Sequence, residues 1–137
     1  MRIEKNQMDD LFTEAAKAAG KAYAPYSKFR VGAALLCEDG TIVHGVNVEN
    51  RSFGLTTCAE RNAVTSAISM GKRKFLALAI STPDSAEPVG PCGACRQVLS
   101  EFMPPETPVR FAGSGPKQIN TTIGELMPLD SLHDLKT

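Results

Sequence analysis

The chain has 137 residues, of which 42% are hydrophobic and 22% charged, with 15 basic side chains balancing 15 acidic ones. A typical domain of about 100–150 residues makes this one domain over 1–137, and the composition excludes a disordered or fibrous chain. Zero formal charge excludes the counterion-release affinity of polynucleotide binders, so a small, weakly charged partner is expected and nucleic acid is not. Met8 to Tyr23 then carries Leu11, Ala15, Ala18, Ala19 and Ala22 at three- and four-residue intervals, predicting a first helix with Asp9 and Asp10 in its first turn. Pro25 breaks it. Phe29 to Leu36 and Ile42 to Val48, joined through Asp39-Gly40, predict a hairpin, followed by a polar loop from Glu49 to Thr56. Thr57 as cap, with Glu60 three residues on, predicts a second helix that starts at or beside Cys58 and runs to Gly71 on Ala59, Ala63, Val64, Ala67, Ile68 and Met70.

Lys74 to Ser81 reads as a strand whose unbroken apolar run, Phe75 to Ile80, implies cover on both faces. Pro91 precedes a third helix, Cys92 to Phe102, which Pro104 and Pro105 end. With Val109 to Ala112 as the next strand, the order strand, helix, strand predicts a right-handed parallel crossover. Lys117 to Thr121 adds a further strand and Ile123 to Leu126 a helical turn, giving an α/β chain. No apolar run approaches the roughly 20 residues that cross a bilayer. The first ten residues are polar and acidic where a signal peptide would be apolar. A cytoplasmic location without a membrane partner is therefore expected.

Four cysteines in such a chain, two of them spaced Cys92-Gly93-Ala94-Cys95, point to metal or redox chemistry before structural disulfides. At a helix start, Cys92 and Cys95 share one face. Tetrahedral Zn²⁺, with Zn–S near 2.3 Å, asks for sulfurs roughly 3.8 Å apart. Cys58 opens a different helix, and two converging helix N-termini lower thiol pKa values. Three thiolates leave one position open for water, the mark of a catalytic rather than a structural zinc. Arg61 and Arg96 are placed to donate to thiolate sulfur, tempering its charge. Glu60 is near enough to reach the water without ligating, as a proton shuttle. A redox dithiol stands as the alternative for Cys92 and Cys95 alone. Cys37, at a strand end, reads as a core or edge residue; facing the others, it would close a Cys₄ structural zinc module.

Cys58-Ala59-Glu60-Arg61 and Pro91-Cys92-Gly93-Ala94-Cys95-Arg96-Gln97 resemble the two zinc segments of the zinc-dependent cytidine deaminases in their short, three-cysteine form. Ala24-Pro25-Tyr26-Ser27-Lys28-Phe29, Val31-Gly32-Ala33-Ala34 and Asn47-Val48-Glu49-Asn50 extend the resemblance over about Ala22 to Phe102, with weaker agreement at Glu125 to Pro128. The resemblance implies a three-layer α-β-α sandwich around a mixed sheet of about five strands. It implies Zn²⁺ on Cys58, Cys92 and Cys95, Phe29 beside a pyrimidine, Asn47 and Glu49 on the ribose hydroxyls, and the Ala59 backbone facing the base. A carboxylate at Glu49 would repel a phosphate, favouring nucleoside over nucleotide. The implied reaction is hydrolytic deamination of cytidine and deoxycytidine, with Glu60 moving protons and no redox cofactor, and the implied assembly is a homotetramer. Three positions depart from the family pattern. Arg51 stands where a small residue is common and Phe53 where tyrosine is frequent; Leu129-Asp130-Ser131-Leu132 follows Leu126-Met127-Pro128 where many relatives carry an aromatic. A deaminase of a nucleoside-like antibiotic would share the zinc residues; Phe29, Asn47 and Glu49 argue against it.

Overall fold

The computed structural model describes residues 3–132 and Leu135. Helix α1 (Lys5–Ala19) starts a turn earlier than its apolar spacing suggests, because Glu4 and Gln7 form a reciprocal capping box in which the Gln7 side chain accepts the Glu4 N–H at 2.8 Å. Asp9 and Asp10 therefore lie in the second turn, not the first, and the helix stops at Ala19, short of Tyr23. Strands β1 (Gly32–Cys37) and β2 (Ile42–Val46) pair antiparallel, from Gly32 opposite Val46 to Leu36 opposite Ile42. Gly40 sits at the turn with φ +90°, a conformation that disfavours any side chain with a Cβ.

Helix α2 (Ala59–Ser69) follows a short 3₁₀ turn at Phe53–Leu55. Its N-cap is Cys58 rather than Thr57, and the expected capping box is absent. Thr57 instead pairs its backbone with Val48, and its hydroxyl accepts from Asn62 Nδ2 at 3.1 Å. Strand β3 (Phe75–Ser81), helix α3 (Gly93–Phe102) and strand β4 (Pro108–Ala112) form the expected parallel crossover, and β5 (Gln118–Thr122) runs into the one-turn helix α4 (Ile123–Leu126).

The five strands lie in the order β2-β1-β3-β4-β5, with β3 and β4 parallel and the other neighbours antiparallel. Period-two alternation sorts residues by size. Ala34, Ala77 and Ala79 face Met8, Leu11 and Ala15 of α1, while Leu35, Leu78 and Ile80 face the other way, into a core with Ala63, Val64, Ala67 and Leu99 of α2 and α3. The central strand β3 is thus covered on both sides, and each buried Leu or Ile contributes about 1.5–3 kcal/mol. The result is the three-layer α-β-α sandwich. Small residues permit close approach: a Cβ on Gly32 would lie 2.1 Å from the Ala15 carbonyl oxygen, and one on Gly45 would lie 2.3 Å from that of Ala59. Among the described residues, no helix is long and apolar enough to cross a membrane.

Candidate metal centre and its surroundings

Helices α2 and α3 pack on the same sheet face, and each presents a cysteine as its N-cap, Cys58 and Cys92. Cys95, one turn into α3, is fully buried, and its N–H donates to the Cys92 sulfur at 3.4 Å. The Sγ atoms of Cys58 and Cys92 are 4.0 Å apart and those of Cys92 and Cys95 3.4 Å, with all three within 4.8 Å of one another. These spacings bracket the roughly 3.8 Å that a tetrahedral zinc requires of its sulfur ligands. Among the described residues this is the only group of three or more His, Cys, Asp or Glu side chains close enough to hold a metal ion. The donor set fits Zn²⁺. Cys37 lies outside it, buried in the main core at the end of β1, so no closed Cys₄ centre forms there.

The charge distribution favours an anionic sulfur. The hydrogen bond from Cys95 and the guanidinium of Arg61, whose Nη2 lies 3.3 Å from Sγ, hold the Cys58 thiol down to about 5 against the cost of burial. The Cys95 proton is held correspondingly tightly, because it bridges to Cys58 in a buried position. Arg61 thus takes the expected place beside the Cys58 sulfur, and its Nε–H remains buried and unspent. Arg96 does not. Its Nε donates to the Pro91 carbonyl at 2.8 Å and its Nη1 to that of Leu126 at 3.2 Å, so it fastens the approach to α3 and the end of α4 in place of touching sulfur. Two fixed carbonyl acceptors, oriented by the fold, outcompete the adjacent thiol.

Glu60, in the first turn of α2, is only 4% exposed. Burial pushes its carboxyl pKa up, and the negative Cys58 nearby adds to this. Ala59, fully buried, is the first residue of α2, where helical N–H groups lack an intrahelical partner.

The chain beyond β2 runs beside this centre, because Val48 exchanges backbone hydrogen bonds with Thr57, the residue before Cys58. Asn47, buried, donates from Nδ2 to the Phe29 carbonyl at 2.8 Å and accepts from the Val31 N–H at 2.9 Å. Glu49 accepts the N–H groups of Tyr26 and Ser27, at 3.0 and 3.2 Å, and the Ser27 hydroxyl. The three residues Phe29, Asn47 and Glu49 are therefore brought into one hydrogen-bonded unit. Phe29 itself is half-buried. Sequence reasoning missed Ser27 and also Asp84. The Asp84 carboxylate receives Arg30 Nε, Nη2 and backbone N–H at 2.7–2.9 Å, tying the loop before α3 to the loop before β1. A separation of 54 residues leaves no local signal for that pair.

Residues 5–110 match the family model described as the cytidine and deoxycytidylate deaminase zinc-binding region. The chain is 50% identical over 121 residues to a cytidine deaminase of Sporosarcina psychrophila, an alignment covering 88% of each chain. It is 48% identical over 118 residues to a cytidine deaminase of Halalkalibacterium halodurans, covering 86% of this chain and 89% of the relative. Its fold superposes on the crystal structure of a cytidine deaminase from Burkholderia pseudomallei with a TM-score of 0.85 and 45% identity, covering 88% of this chain and 96% of that one. A three-sulfur centre at two helix starts, a matching family model over most of the chain and a shared architecture lead to one conclusion: this chain belongs to the cytidine and deoxycytidylate deaminase family.

Proposed function

We propose that this protein is a zinc-dependent cytidine deaminase that hydrolyses cytidine and deoxycytidine to uridine and deoxyuridine, releasing ammonia, with Zn²⁺ held by Cys58, Cys92 and Cys95. The observation that carries this reading is a buried carboxyl, Glu60, two residues from one of three clustered sulfurs. When bound, zinc supplies a Lewis acid that brings the pKa of water from about 15.7 toward about 7. Everything else falls to the chain.

Glu60 takes a proton from the attacking water and delivers it to N3 of the pyrimidine. The water oxygen bonds to C4. A second proton, moved by the same carboxyl, lets the C4–N bond break with ammonia as leaving group. Burial, which raises the Glu60 pKa, suits a group that must both accept and return protons near neutrality. Arg61 tempers the negative charge that three thiolates would otherwise concentrate. The Ala59 backbone faces the base, Phe29 walls it, and Asn47 and Glu49 meet the ribose hydroxyls.

Within the same reading the protein acts as a single domain in the cytoplasm, in pyrimidine salvage, and assembles as a homotetramer. Exposed Tyr23, Tyr26, Val48, Phe53 and Leu55, drawn from the segments that flank the centre, support a subunit contact there. Light scattering then reads about four times the chain mass, and a stable active monomer overturns that assembly.

The functional test is the absorbance loss and ammonia release when zinc-loaded protein meets cytidine, deoxycytidine or a cytosine-nucleoside antibiotic. One ammonia per cytidine or deoxycytidine consumed, lost on chelation and restored by zinc, is expected. No turnover of either by loaded protein, or turnover of the antibiotic in preference, overturns the reading.

A further inference from the structure

The stretch from Tyr26 to Val31 has no regular structure of its own, yet two side chains from the end of β2 hold almost every turn of it. Glu49 Oε1 accepts the N–H groups of Tyr26 and Ser27 at 3.0 and 3.2 Å, and Oε2 accepts the Ser27 hydroxyl. The Ser27 oxygen also accepts the Phe29 N–H at 3.0 Å. Asn47 continues the clamp on the Phe29 carbonyl and the Val31 N–H. Between these anchors Lys28 adopts φ +61°, a backbone region that disfavours residues with a Cβ and is held here by its surroundings.

Counting donors and acceptors makes Ser27 the node. An ionised carboxylate offers about four lone-pair positions. Three are occupied, two on Oε1 and one on Oε2, so the single open position on Oε2 is the one that the Ser27 proton leaves free. A serine accepting from the N–H two residues on is a common local turn. What sets this one apart is that its only proton is spent on an acid 22 positions away.

We infer that Ser27 is a positioning residue for nucleoside recognition: donating to Glu49 and accepting from Phe29, its hydroxyl fixes the open acceptor of the acid and the backbone of the aromatic wall together. This rests on the proposed function, in which Glu49 meets the 3′-hydroxyl and Phe29 flanks the base. The same contact is the largest cause holding the Glu49 carboxyl below the usual glutamate range, with the Ser27 and Tyr26 N–H groups and Lys28 assisting.

The experiment compares zinc-loaded wild type, Ser27→Ala and Ser27→Thr on cytidine and on 3′-deoxycytidine, and follows the Glu49 carboxyl by heteronuclear NMR titration. Removing a hydrogen bond to a charged group is expected to raise KM for cytidine about tenfold with kcat within about twofold. On 3′-deoxycytidine, which lacks the 3′-hydroxyl that Glu49 meets, the penalty shrinks to about twofold or less. Ser27→Thr, which keeps the hydroxyl, stays within about threefold of wild type, and preserves the comparison if the alanine variant folds poorly. The Glu49 titration moves back toward the ordinary range in Ser27→Ala. An equal penalty on both substrates, an unchanged KM, a threonine variant as impaired as alanine, or a Glu49 titration indifferent to the alanine change overturns the inference. Wild type inactive on cytidine is instead the failure of the functional reading, so the two failures are told apart.

Discussion

In the proposed reaction Glu60 carries the heaviest demand of any single side chain, exchanging protons while enclosed by protein. Removing its ionisable group while keeping its size isolates that role. In Glu60→Gln, zinc measured by atomic absorption stays at the wild-type stoichiometry, while kcat for cytidine falls about 100- to 10,000-fold. Retention of most activity would refute proton transfer by this residue. Arg61→Ala removes the donor to Cys58 Sγ, and competition with a chromophoric chelator is expected to show about 10- to 100-fold weaker zinc binding. The positions of Cys92 and Cys95 on one helix face, and of Glu60 and Arg61 within a turn of Cys58, were legible in the sequence from helical spacing, whereas the meeting of the two helix starts depends on how α2 packs against α3. Arg96 was not legible: its acceptors, the carbonyls of Pro91 and Leu126, are set by how α4 packs against α3, which no local spacing encodes. Ser27 was hidden for a similar reason, since its partner Glu49 comes from another element.

Among elements, the contact of α2 with β2 decides where Cys58 and Glu60 stand. Gly45 makes it possible. A methyl group there would meet the Ala59 carbonyl at 2.3 Å and the Ala63 nitrogen at 2.5 Å, backbone atoms that cannot rotate away. Gly45→Ala is therefore expected to lower stability by roughly 1–3 kcal/mol in chemical denaturation and to reduce activity by displacing the start of α2. A variant with wild-type stability and kcat would contradict the close-packing account. Among the described residues, each of the four α-helices and five strands has a counterpart in the sequence reading, α1 and α2 from periodicity and α3 from its flanking prolines, while the 3₁₀ turn at Phe53–Leu55 fell in what read as loop; β3 announced its cover on both faces by its unbroken apolar run. The ends were less legible. Phe29 and Val31 leave the β ladder because Asn47 captures their backbone, and α1 begins early because a Glu–Gln capping box does the work expected of Asp9 and Asp10. Both are side-chain-to-backbone choices that apolar periodicity does not see.

For the molecule as a whole, the strand order was not legible in the sequence, and the three layers around a mixed sheet followed from the family resemblance more than from pattern. Size sorting on β1 and β3 supplies the physical reason for them. Its loops are fastened by acids whose carboxyls titrate low. Asp84 is held at about 2 by the Arg30 side chain and backbone, and Asp39 at about 2 by Lys72 and Thr41. A folded pKa below the unfolded value means that the stabilisation is complete above about 4 and drains away as pH falls toward about 2. Asp84→Asn should consequently melt below wild type at neutral pH, with the gap closing across that acid window; a gap independent of pH would show that the ion pair is not its cause.

X-ray absorption at the zinc edge of the loaded protein reads the neighbours of the ion itself. Three sulfurs at about 2.3 Å and one lighter atom at about 2.0 Å are expected. Four sulfurs, or protein that retains no zinc, would contradict the proposed centre.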